Sequence, residues 1–180
     1  MREIKKVAIV GLGAIGGIYA LKIHEFDPQC LQVILDQGRY EKYVEDGIAI
    51  NGKRYAFNYV LPGSNTEKVD LIFIATKSNG LQEAIEIIEG FVGPDTIIIS
   101  LLNGISSETT ISEKFGRDKI LYSLFIGHIS TKVDNAVTHD GVGTIVFGEA
   151  DNTVISEKTA AVRDFFDKAG IDYKIPPDMF

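Results

Sequence analysis

Gly11, Gly13 and Gly16 stand in the stretch VAIVGLGAIGG, residues 7–17, directly behind a run of β-branched and small apolar residues. Glycine weakens regular structure, so three of them at this spacing after a strand mark a place where the backbone itself is wanted. The first permits a tight turn, the second lets an anion approach the main chain, and the third lets a helix pack closely on the strand. N–H groups at the start of a helix have no internal acceptor, and the helix dipole favours negative charge there. The chemistry on offer is the binding of a diphosphate, with Leu12, Ala14 and Ile15 completing the loop.

Asp36 closes the next apolar run, LQVILD, about twenty residues further on, which is the interval of a dinucleotide fingerprint. An acid there accepts hydrogen bonds from ribose hydroxyls, which fits NAD and repels a 2′-phosphate. Arg39, in the loop that follows, fits the 2′-phosphate of NADP instead, so both cofactors stay open. Asp36 is also suited to cap the next helix, with Arg39 simply solvated.

These residues need a frame of strands and helices. Residues 14–26, AIGGIYALKIHEF, read as a helix, and with VAIV before and LQVILD after they make a βαβ unit whose parallel strands require a covered sheet. A short helix follows in YEKYVEDG, and Asn51-Gly52 between alternating runs marks a hairpin. VDLIFIATK, GLQEAIEIIEGFV, DTIIISLLNG and SSETTISEKFG continue the alternation of strand and helix. Residues 136–150, AVTHDGVGTIVFGEA, read as a second hairpin region, before a helix in ISEKTAAVRDFFDKAG and a short strand IDYKI. The fold class is α/β: a doubly wound, mostly parallel sheet of Rossmann type with antiparallel hairpin additions.

Composition bounds the rest. With 180 residues, 45% hydrophobic and 24% charged, the chain is sized for one globular domain, residues 1–180. A net charge of −7 opposes attraction to a phosphate backbone and argues against nucleic acid as a partner. No apolar run approaches the length of a membrane helix, and the basic start MREIKKVAIV lacks the exit of a signal peptide. Cys30 is the single cysteine, and the three histidines are scattered, so neither an internal disulfide nor a metal site is expected. A cytoplasmic setting fits. His128 and His139 have no partner visible in the sequence and read as hairpin or core residues rather than as an acid or base.

Four features in order, GLGAIGG, ATKSNGLQEAI, LLNGI and DNAVTHDGVGTIVFGE, resemble ketopantoate reductases, the 2-dehydropantoate 2-reductase family. The glycine loop is common to many dehydrogenases; Lys77, Asn103-Gly104 and the stretch from His139 to Gly148 are more specific. The resemblance implies NADPH-dependent reduction of the 2-oxo acid ketopantoate to pantoate, on the route to pantothenate and coenzyme A. It implies that Gly11, Gly13 and Gly16 cradle the diphosphate, that Lys77 borders the cofactor and substrate cleft, and that Asn103 stands near the nicotinamide. Read from the residues alone, Lys77 is equally an exposed lysine beside a helix and Asn103-Gly104 a turn.

The chain departs from the family twice. Asp36 and Gln37 stand where many members carry an arginine for the 2′-phosphate, and Arg39 is displaced. Members also continue into a helical C-terminal domain that supplies the general-acid lysine and most of the substrate pocket, whereas this sequence stops at IPPDMF. The reading is therefore a cofactor domain that binds NADP, or NAD because of Asp36, without a catalytic residue of its own and with negligible turnover. An apolar face left open by that missing neighbour would favour a homodimer. Two other readings remain: the cofactor domain of another hydroxy-acid, opine or polyol-phosphate dehydrogenase, and a non-catalytic dinucleotide sensor. Substrate profiling separates the first, and redox-selective binding with a protein partner marks the second.

Overall fold

Four short strands are buried at every residue: β1 (Val7–Val10), β2 (Leu31–Ile34), β6 (Leu71–Ile74) and β7 (Ile97–Ser100). Such runs are stable only inside a parallel sheet covered on both faces. The computed structural model, which describes residues 2–64, 67–102, 106–127 and 130–180, shows that sheet. Eight strands lie in the order β12-β11-β8-β7-β6-β1-β2-β5, where β5 is Tyr59–Val60, β8 Ile120–Ile126, β11 Thr144–Gly148 and β12 Tyr173–Lys174. From β5 to β8 every pairing is parallel; β11 runs antiparallel to β8. The expected doubly wound α/β architecture is what the chain adopts.

Alternate residues of the central strands serve the two faces. Val7, Ile9, Leu71, Phe73, Ile97 and Ile99 pack with α1 (Ala14–Phe26) and α5 (Glu157–Ala169), where Phe73 stacks against both Tyr19 and Phe166. Ala8, Val10, Ile72, Ile74 and Ile98 pack with α3 (Leu81–Ile88) and α4 (Ser106–Phe115). The remaining helix, α2 (Gln37–Asp46), follows β2 directly, starting three residues before the sequence expectation because Asp36 caps it.

A second sheet has the order β4-β3-β10-β9, with β3 Ile48–Ile50, β4 Lys53–Tyr55, β9 Ser130–Val133 and β10 Ala136–His139. The Asn51-Gly52 turn joins β3 to β4 with φ of 47° and 82°, the left-handed pair that a two-residue hairpin requires. The sheet rests on α1 at Gly17, where an added Cβ would lie 3.3 Å from Val137 and 3.5 Å from Ile48.

The expected second hairpin over residues 136–150 is not formed. β10 pairs with β9 and β3, while β11 leaves for the large sheet between β8 and β12. The hairpin turn falls earlier, at Asp134-Asn135, with Asp134 at φ 53°. Gly141 and Gly143, which look like turn glycines, instead lie in the crossing between the two sheets.

Candidate functional site

β1 sits between β2 and β6, so the chain leaves its carboxyl end toward one side and returns to the other. That divergence opens a crevice at the strand ends, the usual ligand position in such sheets. A cavity of about 620 Å³ occupies it, lined by the β1–α1 loop, the end of β2, the start of α2, the β6–α3 connection and β9.

The three glycines of the loop have separate reasons. At Gly11, φ is 93° and a Cβ would lie 2.6 Å from the Ala75 carbonyl carbon, so the backbone just after β6 forbids a side chain. At Gly16 a Cβ would fall 1.9 Å from the Gly11 carbonyl oxygen, so this residue closes the helix onto the turn. Gly13 is different: its φ of −79° is ordinary, and the nearest atom to a Cβ is the Ala75 oxygen at 3.8 Å. Nothing in the fold demands glycine there, yet a side chain would stand before the start of α1. Gly13 is the N-cap of α1 without a side-chain cap, and the first turn holds no acid. The N–H groups of that turn are thus left for an outside acceptor.

Leu12, Ala14 and Ile15 line the cavity with Gly11 and Gly13; Gly16 does not. Asp36 and Arg39 form the lip across from them. The Asp36 carboxylate accepts the Arg39 backbone N–H at 3.0 Å and pairs with its guanidinium at 2.8 Å. Asp36 therefore acts as a helix cap, as one of its two sequence readings held, and borders the cavity as well. The Arg39 side chain is 62% exposed, so its ion pair is weak and its guanidinium is available to a ligand.

Lys77 borders the opposite side, preceding a 3-10 turn, Ser78–Gly80, after the end of β6. Next to it, the buried Thr76 hydroxyl has no partner among the described residues. Asn103 lies outside the described residues, as do Gly104 and His128. His139 stays away from the cavity, with its ring nitrogen 3.0 Å from the Gly141 carbonyl oxygen.

The lining residues that were not singled out from the sequence include Tyr43, Thr76 and Lys132. Thr76 had a usable signal, since it sits beside Lys77 at a strand end. Tyr43 is buried by the packing of α2, which pushes its phenol pKa up. Lys132 reaches over from β9, its ammonium hydrogen-bonded to the Leu12 carbonyl and the Tyr43 hydroxyl. Burial, reinforced by Arg39 and Lys42, holds its pKa below the usual lysine range. No cluster of metal-ligating side chains occurs among the described residues.

The open helix start, the unpaired Thr76 hydroxyl and the vacant space before Gly13 together fit a dinucleotide diphosphate with its adenosine ribose toward Asp36.

Comparison with known proteins agrees with this geometry. The family model of ketopantoate reductase PanE/ApbA matches residues 7–152. A 2-dehydropantoate 2-reductase of Nostoc is 27% identical over 188 residues, covering 97% of this chain and 57% of that protein. The oxidoreductase YkpB of Bacillus subtilis is 25% identical, covering 89% and 54% respectively. The chain thus spans about half the length of these relatives. Among solved structures, 2-dehydropantoate 2-reductase from Geobacter metallireducens superposes with a TM-score of 0.82 at 23% identity, over 97% of this chain and 58% of that one. A D-mandelate dehydrogenase in complex with NADH and anilino(oxo)acetate gives 0.79 at 24% identity, over 95% and 56%. These likenesses are likenesses of fold.

Proposed function

The chain belongs to the ketopantoate reductase family, and from that premise we propose that residues 1–180 act as a cofactor-binding unit for NADP(H), serving reduction of a 2-oxo acid such as ketopantoate. Gly13 carries the reading: the fold leaves room for a side chain there, and its absence opens the start of α1 to an external group close to the main chain. The start of α1 would hold the diphosphate, and Thr76 would offer its hydroxyl beside it. Lys77 would face the nicotinamide and substrate side, and the family resemblance assigns Asn103 a role there too. When bound, the cofactor supplies the hydride. The proton for the resulting alkoxide needs a positioned acid, and none of the cavity-lining residues is assigned that role; the chain alone is expected to bind without turnover.

NADP is favoured over NAD by Arg39 and Lys132, two cations that line the α2 and β9 side of the cavity. Asp36 supports a second reading, NAD, whose ribose hydroxyls it would accept. A substrate other than ketopantoate, another 2-oxo acid, fits the same cofactor geometry. The reading carries a cytoplasmic location, and no helix of the described residues is long and apolar enough to cross a membrane. It also carries self-association through β8, where Leu124 and Ile126 are exposed next to the Tyr122–Phe180 ring contact.

Parallel calorimetric titrations with NADPH and NADH test the proposal. NADPH binding that Gly13→Asp abolishes supports it; a preference for NADH moves the reading to NAD. Absence of binding by either dinucleotide overturns it.

A further inference from the structure

Lys132 is the residue of the cavity whose charge is least accounted for. Its two acceptors, the Leu12 carbonyl and the Tyr43 hydroxyl, are neutral. Arg39 and Lys42 act on it with the same sign, no ion pair with a carboxylate holds it among the described residues, and its surroundings partly exclude water. Of the two carboxylates that line the cavity, Asp36 turns to Arg39 and Glu83 belongs to the first turn of α3, across the crevice from β9. A half-buried ammonium among like charges and neutral acceptors is an unbalanced arrangement, and an anion entering the cavity balances it.

We propose that Lys132 is a phosphate-binding residue of the dinucleotide pocket, its ammonium moving from the Leu12 carbonyl to a phosphate of the bound cofactor. The inference rests on the cofactor reading above and adds to it a ligand from the other end of the fold. The glycine loop holds an anion through main-chain N–H groups alone; β9 brings a full positive charge to the same loop, at the carbonyl of Leu12. Lysine suits the task because its flexible stem lets a compact ammonium exchange one acceptor for another, while Tyr43 keeps the side chain beside the cavity. The phosphate is either the diphosphate, common to both nicotinamide dinucleotides, or the 2′-phosphate that only NADP carries.

The test is calorimetric titration of the wild-type chain, Lys132→Met, Lys132→Gln and Lys132→Arg with NADPH and NADH, each at low and high salt. Lys132→Gln retains a donor for Leu12 and Tyr43 without the charge, so it reports even if Lys132→Met does not fold. Both neutral variants are expected to lose about tenfold or more in affinity, with the gap narrowing at high salt, while Lys132→Arg keeps most of it. An equal loss for NADPH and NADH assigns the diphosphate, and a loss confined to NADPH assigns the 2′-phosphate; either supports the inference. Wild-type affinity in Lys132→Gln overturns it, as does an equal, salt-independent loss in all three variants, which would make Lys132 only a tether for the loop. Failure of the wild-type chain to bind either dinucleotide overturns the cofactor reading itself, and this inference with it.

Discussion

The two walls of the cavity handle charge by different means. Along the β1–α1 loop the main chain sets the surface, with Gly11 and Gly16 confined by neighbouring backbone and Gly13 facing open space. Along α2 and β9 side chains do it: Asp36 pairs with Arg39, and Lys132 with the hydroxyl of Tyr43. On the proposed cofactor reading the loop would be the seat of affinity, common to any dinucleotide, and the facing wall the seat of choice between dinucleotides.

The largest effect that would break this division is on the loop. Gly16→Val drives a Cβ to 1.9 Å from the Gly11 oxygen, and is expected to cost more than about 3 kcal/mol, read by chemical denaturation. Gly13→Asp meets no such obstacle, with the nearest atom at 3.8 Å, and should fold within about 1 kcal/mol of wild type. Its carboxylate faces the diphosphate, so affinity should fall by about a hundredfold or more for NADPH and NADH alike. If Gly13→Asp instead unfolds the chain, the loop is one structural unit and the contrast between its glycines fails.

Smaller effects sharpen the other wall. Asp36→Asn keeps a good cap for α2 while freeing Arg39, so stability should stay within about 0.5 kcal/mol as the ratio of NADPH to NADH affinity rises about tenfold. Asp36→Ala should shift the ratio similarly but cost about 1 kcal/mol more, from the lost cap. An unchanged ratio in both would remove Asp36 from cofactor choice.

The smallest expected effect is on pH. The Lys132 ammonium is held below the usual lysine range by burial and by Arg39 and Lys42, while Tyr43 beside it is pushed up and stays neutral. The charged form binds phosphate, so affinity is full at neutral pH and declines as Lys132 deprotonates on the alkaline side, before an ordinary lysine would near pH 10.4. Binding in that range should take up protons, visible as a dependence of the calorimetric heat on buffer. Lys132→Arg should flatten the profile, and a decline identical to wild type would assign the effect elsewhere.

The loop and its strand were legible because their signals are local. Gly11, Gly13 and Gly16 lie within six residues, and VAIV and LIFI are buried on both faces whatever surrounds them. Asn51-Gly52 was legible for the same reason, as a turn whose φ values few other residues adopt. Lys132 was not, because in STKV it looks like any lysine on an alternating strand; its contact with Leu12 spans 120 residues. The misplaced hairpin has a related cause. Gly141 and Gly143 resemble turn residues, whereas the turn is set by Asp134-Asn135 and the parting of β10 and β11 by sheets that form at long range.

The seating of the small sheet on α1 has a consequence for how the molecule is made. β3 and β4 come from the first third of the chain and β9 and β10 from the last third, and they join across α1 at Gly17. During synthesis the N-terminal βαβ unit emerges and can condense first, whereas contacts between distant segments carry a larger loop-closure cost and form later. The order of assembly thus runs from backbone cradle to charged wall. A nascent chain cut short before residue 130 would hold the glycine motif with its lysine still unmade, and the strength with which it grips a dinucleotide would serve as a clock for the completion of the fold.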